Sequence, residues 1–303
     1  MEHHHHHHNS DISGGKLLFS VILNIIITLA QFVGGILSGS LALLSDALHN
    51  FSDVMSLIIS YYAHKISLRP QNIRQTFGFK RAEILAALFN ASVLIAVSVY
   101  LIVESADRFL HPEAVASEWV MALAALGMVV NGLSVWLLNR DSHTNLNIRS
   151  AYLHLVGDLM TSVAVLAGGG LIYLYGWNWI DPLLSLAISV YLIRLSYGIV
   201  RESTGMLMQF SPAHISIEAI VETVRSFDAI ESIHHIHLWQ LNDETVFLEA
   251  RLNFISDLPL SEANGVIHNL SHALEAIGIS HTTFQAEVGR DGIETVLTHC
   301  EHH

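Results

Sequence analysis

Six long apolar stretches, separated by short polar breaks, organise the first two thirds of the chain. They run at about 16–37, 41–66, 81–106, 117–138, 148–175 and 180–207. Each approaches the roughly 20 residues that a bilayer-spanning helix needs, so the pattern predicts six transmembrane helices. Only Ser38-Gly39-Ser40 separates the first two, which predicts a tight hairpin, and the polar run Lys65 to Arg81 carries Pro70 as a helix stop. After Phe210-Ser211-Pro212 the period changes. His214 to Phe227 reads as an amphipathic helix, Ile233 to Leu241 and Thr245 to Phe254 as strands joined at Asn242-Asp243, Leu260 to Ile277 as a helix ended by Gly278, and Ser280 to Val288 as a last strand. This α-β-β-α-β order predicts a small α+β domain with helices on one face of a sheet.

The polar positions inside the apolar stretches carry the chemistry. His49 and Asp53 lie in the second stretch, His154 and Asp158 in the fifth. An i,i+4 spacing puts imidazole and carboxylate one turn apart on one helix face, where both reach the same point between helices. Ionisable groups at bilayer depth are expensive and mark substrate pathways facing the bundle interior. One such pair can be a packing hydrogen bond; two matched pairs point to a metal site of two nitrogens and two oxygens. Asp46, seven residues before Asp53, faces roughly the same side and is read as lining the access route or bonding a neighbouring helix. Gly34-Gly35 and Gly168-Gly169-Gly170 are read as close-packing positions.

Composition agrees. The 303 residues are 51% hydrophobic and 14% charged, with mean hydropathy +0.46, which excludes an ordinary soluble protein. Met1-Glu2 and His3 to His8 look like an expression tag and are left out of the metal reasoning. No small-residue cleavage pattern precedes the apolar run at Leu17, so the first helix is expected to direct its own insertion. Lys65, Arg69, Arg74, Lys80 and Arg81 fill the second loop, and Arg140 and Arg149 the fourth, while the alternate loops carry only Arg108. The positive-inside rule then puts these even loops and both termini in the cytosol. From Gln209 onward 14 Asp/Glu face 3 Lys/Arg; that acidity argues against nucleic acid and suits cations. A lone cysteine, Cys300, allows no intramolecular disulfide and fits a reducing compartment.

A mixed His/Asp set suits zinc in a closed tetrahedral shell at about 2.0–2.2 Å. The nitrogens disfavour calcium and magnesium, while cobalt, nickel and cadmium stay open by affinity. Ligation needs neutral imidazole and ionised carboxylate, so protons and metal compete for the same side chains, and exchange of outgoing metal for incoming protons is expected. An intramembrane zinc hydrolase is a poor alternative, because no His-Glu-x-x-His occurs and four protein ligands leave no place for an activated water. A membrane zinc sensor that does not transport is the other alternative. The protein is therefore not expected to be an enzyme.

Ser38-Gly39-Ser40-Leu41-Ala42-Leu43-Leu44-Ser45-Asp46-Ala47-Leu48-His49-Asn50-Phe51-Ser52-Asp53, Thr76 to Ala87 and Asn145 to Asp158 resemble the second-, third- and fifth-helix signatures of the cation diffusion facilitator family, especially its bacterial zinc and cobalt-zinc-cadmium exporters. His235-Ile236-His237-Leu238-Trp239 and Thr283-Phe284-Gln285-Ala286-Glu287 resemble its cytoplasmic domain. The resemblance implies a homodimeric six-helix secondary transporter in a bacterial inner membrane, with alternating access, exporting zinc through His49, Asp53, His154 and Asp158. The expected divisions are a tag and arm over 1–15, the transmembrane domain over 16–208, a metallochaperone-like cytoplasmic domain over 209–290 and a tail over 291–303.

Some members hold a further metal in the loop after the second helix. Here Pro70 to Phe79 has neither His nor Asp, so that site is expected to be missing. In the cytoplasmic domain the resemblance implies His237, His281 and Glu287 as ligands of a regulatory zinc. Arg251 stands where some relatives have another His, and His234, His235 or the tail residues His299, Cys300, His302 and His303 are the replacements. His268 and His272, an i,i+4 pair, are read as surface residues.

Overall fold

The computed structural model describes the backbone of residues 10–142 and 146–289, and the side chains of 22–139 and 152–289. The tag histidines, the side chains of Arg140 and Arg149, and the tail candidates His299, Cys300, His302 and His303 lie outside the described residues. The chain divides into two compact units, residues 1–61 with 89–200 and residues 62–88 with 201–303.

Six long helices form in the order expected: α1 (Ser10–Ser38), α2 (Leu41–Ser67), α3 (Ala82–Leu110), α4 (Ser117–Ser142), α5 (Leu146–Tyr175) and α6 (Ile180–Leu207). Ala82–Leu110, Ser117–Asn139, Tyr152–Tyr175 and Ile180–Leu207 are long and apolar enough to cross a membrane, and the part of α1 whose side chains are described, Ile22–Ser38, is apolar too. Helix α2 is more polar because it carries Asp46, His49 and Asp53. Leu29, Phe89, Tyr100, Val103 and Trp136 are exposed apolar side chains on these helices, as a lipid-facing surface requires.

In the first unit the hairpin between α1 and α2 is closed by more than its turn. Gly39 takes φ +70, the left-handed conformation that favours glycine. Ser40 caps α2 locally, its Oγ accepting from the Leu43 amide at 3.1 Å. Asp181, at the start of α6, reaches across to the same helix end. Its carboxylate accepts from Ser40 Oγ at 2.5 Å, the Leu41 amide at 2.7 Å and the Ala42 amide at 3.3 Å. An anion there satisfies otherwise orphaned amides and opposes the positive end of the helix dipole. The Arg108 guanidinium donates to the Gly39 carbonyl, and the Ala116 amide to that of Ser38. The apolar interior joins Ala42, Leu43, Leu94, Val120, Ala124, Val165, Ile188 and Leu192. Helices α5 and α6 approach closely at Gly168, where an added Cβ would lie 2.3 Å from Leu184 Cδ1.

The second unit contains α7 (Ile217–Arg225), β1 (Ile230–Gln240), β2 (Val246–Phe254), α8 (Leu260–Glu275) and β3 (His281–Val288). The expected order holds, with shifted ends. Helix α7 begins only at Ile217 because Ser216 accepts the Ala219 amide as N-cap. Strand β1 begins at Ile230 because that residue already pairs with Phe254. Helix α8 stops at Glu275 ahead of Gly278, which takes φ +96.

The sheet order is β1-β2-β3, with β1 antiparallel to β2 and β2 parallel to β3. Val246, Leu248, Ala250 and Leu252 alternate on the buried face of β2, in a core shared with Ile220, Val224, Leu270 and Leu274 of the two helices. The opposite face presents Phe247, Glu249 and Arg251. A bulge between His234 and His237 leaves His235 at φ +53 and turns successive histidines to different sides.

Candidate metal centre

Helical geometry gathers the two His/Asp pairs. His49 and Asp53 follow each other on α2, with His49 Nδ1 3.5 Å from Asp53 Oδ2; His154 and Asp158 do so on α5, with His154 Nε2 3.7 Å from Asp158 Oδ2. The pairs also face each other. His154 Nε2 lies 3.2 Å from Asp53 Oδ2, His49 Nε2 lies 3.6 Å from Asp158 Oδ1, and the imidazoles meet edge to face with centroids 5.8 Å apart.

A tetrahedral ion with bonds of about 2.1 Å sets ligand-to-ligand edges near 3.4 Å, and the observed contacts span 3.2 to 3.7 Å. One atom each from His49, Asp53 and His154 falls within a mutual 4.8 Å, the one such cluster among the described residues. Asp158 joins through His154 Nε2. His49 turns its two nitrogens toward different carboxylates, so closing a four-ligand shell on one ion requires its ring to commit one nitrogen.

Burial is graded across the four residues. The side chains of Asp158 and His49 are 2% and 6% exposed, those of Asp53 and His154 28% and 42%. The site therefore has a dry floor and an open mouth. Nδ1 of His49 and Oδ2 of both Asp53 and Asp158 are buried without a hydrogen-bond partner among the described residues. Buried polar atoms are normally satisfied, and orphaned atoms with lone pairs in one cluster suit a cation.

Asp46 has a different place. It is 1% exposed, and its carboxylate accepts from Thr161 Oγ1 at 2.7 Å and Gln31 Nε2 at 3.2 Å. Of its two sequence readings, bonding of neighbouring helices is the one the structure has. Thr161, one turn beyond Asp158, is also close to the Asp158 carbonyl, with Oγ1 at 2.9 Å. Sequence reasoning passed over Gln31, Thr161 and Asp181. The available signal was a polar side chain inside, or at the mouth of, an apolar stretch.

His237, His281 and Glu287 share a face but do not converge among the described residues. Across the sheet, His237 pairs with Glu249, Phe247 with His281 and Asn253 with Glu287. His281 and Glu287 are six residues apart on one strand, about 20 Å at 3.3 Å per residue. Glu287 is held by ion pairs to Arg251 at 3.3 Å and to the buried His234 at 3.2 Å. His235 and His237 meet edge to face at 4.7 Å. Partial desolvation, with His237, Arg251 and His234 nearby, lowers the pKa of His235 and favours its neutral ring. His268 and His272 stack at 4.8 Å on α8, with His272 paired to Glu275 at 3.1 Å.

The loop after α2 makes aromatic contacts. Phe77 packs edge-on against Trp239 at 6.1 Å and Phe247 at 5.6 Å, and those two rings stack at 4.5 Å.

Known proteins resemble the chain over both of its domains. The family model for the cation efflux transmembrane domain matches residues 17–208, and that for the cation efflux protein cytoplasmic domain matches residues 212–288. The chain is 36% identical over 273 residues to the cadmium, cobalt and zinc/H(+)-K(+) antiporter of Bacillus subtilis (strain 168), covering 89% of this chain and 88% of the relative. It is 33% identical to the zinc transporter ZitB of Escherichia coli (strain K12), covering 94% of this chain and 91% of the relative. It is 31% identical to the metal cation efflux system protein CzcD of Cupriavidus metallidurans (strain ATCC 43123 / DSM 2839 / NBRC 102507 / CH34), covering 86% and 82%. With both domains matched and relatives aligned over most of their length, the chain belongs to the cation efflux, or cation diffusion facilitator, family of membrane metal transporters.

Proposed function

We propose that this protein exports Zn2+ from the cytosol in exchange for protons, binding the ion between α2 and α5 through His49, Asp53, His154 and Asp158. The observation that carries the reading is the convergence of the two pairs, with nitrogen-to-oxygen distances of 3.2 to 3.7 Å around orphaned buried atoms. Two carboxylates neutralise a divalent ion in a low-dielectric setting, and two imidazoles bring nitrogens that can hold either the ion or a proton. On the cytosolic side, neutral imidazoles and ionised carboxylates accept the ion. On the far side, protons displace it and ride back on the vacated ligands. Names of relatives support the cargo, since they include a zinc transporter and a cadmium, cobalt and zinc/H(+)-K(+) antiporter. Cadmium and cobalt are the secondary substrates.

The same reading has α1 to α6 all spanning a bacterial inner membrane, both termini cytosolic, and a homodimer formed through the cytoplasmic domain. The lysine and arginine bias of the even loops supports the orientation, and the match to a dimer-forming family domain supports the assembly. A regulatory zinc on the cytoplasmic sheet would draw on His237, His281, Glu287, His234 or His235. Because these meet at most in pairs among the described residues, as His234 does with Glu287, it would need ligands from the second copy or from the tail that holds Cys300.

The test is metal uptake into proteoliposomes by the wild type and Asp158→Ala, with zinc, cadmium, cobalt and manganese under two pH gradients. Zinc flux that follows the proton gradient and disappears in the variant is expected. Flux indifferent to the gradient, or unaltered in the variant, would overturn the proposal.

A further inference from the structure

A cavity of about 370 Å³ in the second unit has no part in the transport reading. It is lined by Phe77, Phe79, Lys80, Arg81, Leu85 and Trp239 among others. Its volume falls in the range of small-molecule sites, which join apolar walls to a few placed polar groups.

Among the polar groups of the lining, Lys80 and Arg81 are cationic and Gln209 is neutral, and Lys80 has Glu83 within electrostatic reach. The nearby carboxylate, Glu83, is already engaged, accepting from Ser67 Oγ at 2.5 Å and lying 3.0 Å from His64 Nδ1. Arg81 holds its guanidinium over the Trp239 ring, 5.9 Å from the centroid, and its Nε is buried with no hydrogen-bond partner among the described residues. A buried guanidinium donor without an acceptor is costly, and an anion that a fork of N–H groups can grip would relieve it. Lys80 adds a second positive charge to the same lining. The first turn of α3 opens onto the cavity at Ala82, and its dipole end also favours an anion.

The other walls select against a bare, fully hydrated anion. Phe77, Phe79, Leu85, Trp239 and Leu241 present aromatic and aliphatic surface. Helix α3 is also one of the apolar spans, so its first turn lies where a spanning helix meets the headgroup layer. We propose that this cavity binds a phosphate ester carrying an apolar attachment, gripped by Arg81 and Lys80, with an anionic phospholipid headgroup as its source.

The experiment uses the full chain, delipidated in neutral detergent, with phosphatidylglycerol as probe and phosphatidylcholine as control, and bound lipid counted by native mass spectrometry. Wild type should retain phosphatidylglycerol over phosphatidylcholine. The double change Lys80→Gln, Arg81→Gln should weaken that binding roughly 30-fold, from two basic side chains at the membrane surface. Leu85→Trp, which fills the cavity and keeps both cations, should lose it as well, and a monodisperse elution profile will show that each variant is folded. Competition by sn-glycerol 3-phosphate as strong as that by the lipid would support the site with a soluble ester as its source. Binding unaltered in the doubly substituted protein would overturn the proposal. So would binding lost on charge removal yet kept by Leu85→Trp, since the anion would then sit on general surface charge.

Discussion

The helical unit and the sheet unit each carry histidines and carboxylates at suggestive spacings, yet among the described residues only the helices bring more than two of them together. On α2 and α5 an i,i+4 pair projects from one face, and two such faces close to contacts of 3.2 to 3.7 Å. On the sheet, alternation puts His237, His281 and Glu287 on one face but spreads them over different rows and strands. Six residues are less than two turns of helix and about 20 Å of strand. Similar ligand types therefore carry unequal meaning, and the element beneath the residues decides which set can hold one ion.

The sharpest way to break this contrast is to remove one ligand from each region. Asp158→Ala should lower zinc transport more than about 100-fold, beyond the roughly 10–100-fold typical of changes behind a metal's ligands. Asp158 forms the floor of the site at 2% exposure, where nothing else replaces it. His281→Ala should leave flux in proteoliposomes within about twofold, because its ring lies against Phe247 at 4.7 Å and not beside another ligand. Equal losses in the two variants would show that the sheet is part of the transport path.

Acidification gives the next largest effect, and its sign follows from the ligands. Ligation needs unprotonated imidazole, so zinc binding to the candidate site should weaken as the pH is lowered, measured by isothermal titration on the purified protein. A flat profile would mean that the carboxylates alone hold the ion.

The approach of His49, Asp53, His154 and Asp158 to one another was legible in the sequence because the two pairs are local. His49 with Asp53, and His154 with Asp158, need only helical periodicity to share a face, and an apolar background makes them conspicuous. The order of helices and strands was legible for the same reason. What escaped were contacts over long sequence separation. Asp181 caps a helix 140 residues earlier, Thr161 reaches Asp46 across 115, and no period or spacing encodes either. The ends of α7 and β1 also moved, because a serine cap and a strand partner decide them. The expectation of a three-residue cytoplasmic site came from resemblance, which transfers residue types without their rows on the sheet.

Structural supports of the membrane site should fail differently from its ligands. Asp181→Ala leaves Ser40, Leu41 and Ala42 without their buried acceptor, which should cost about 1–3 kcal/mol. A lowered Tm in detergent, with metal selectivity unchanged, is the expected result. Selectivity that shifts without loss of stability would mean that Asp181 touches the ion path.

The smallest effect separates Asp46 from the ligands it resembles. Thr161→Val removes the hydroxyl that donates to Asp46 Oδ1 and keeps the volume, so it should destabilise the protein by about 1–3 kcal/mol. Gln31 still donates to Oδ2 at 3.2 Å, so the carboxylate keeps one partner and the lower end of that range is expected. Zinc affinity should change little, because none of the four ligand side chains loses a contact. Asp46 and Asp158 are both buried carboxylates on helices of one unit, and hydrogen-bond satisfaction is what divides them: Asp46 has both oxygens occupied by protein donors, whereas Asp158 keeps Oδ2 without one. If Thr161→Val lowered zinc affinity as strongly as loss of a ligand, that division would be wrong, and Asp46 would belong to the ion's own shell.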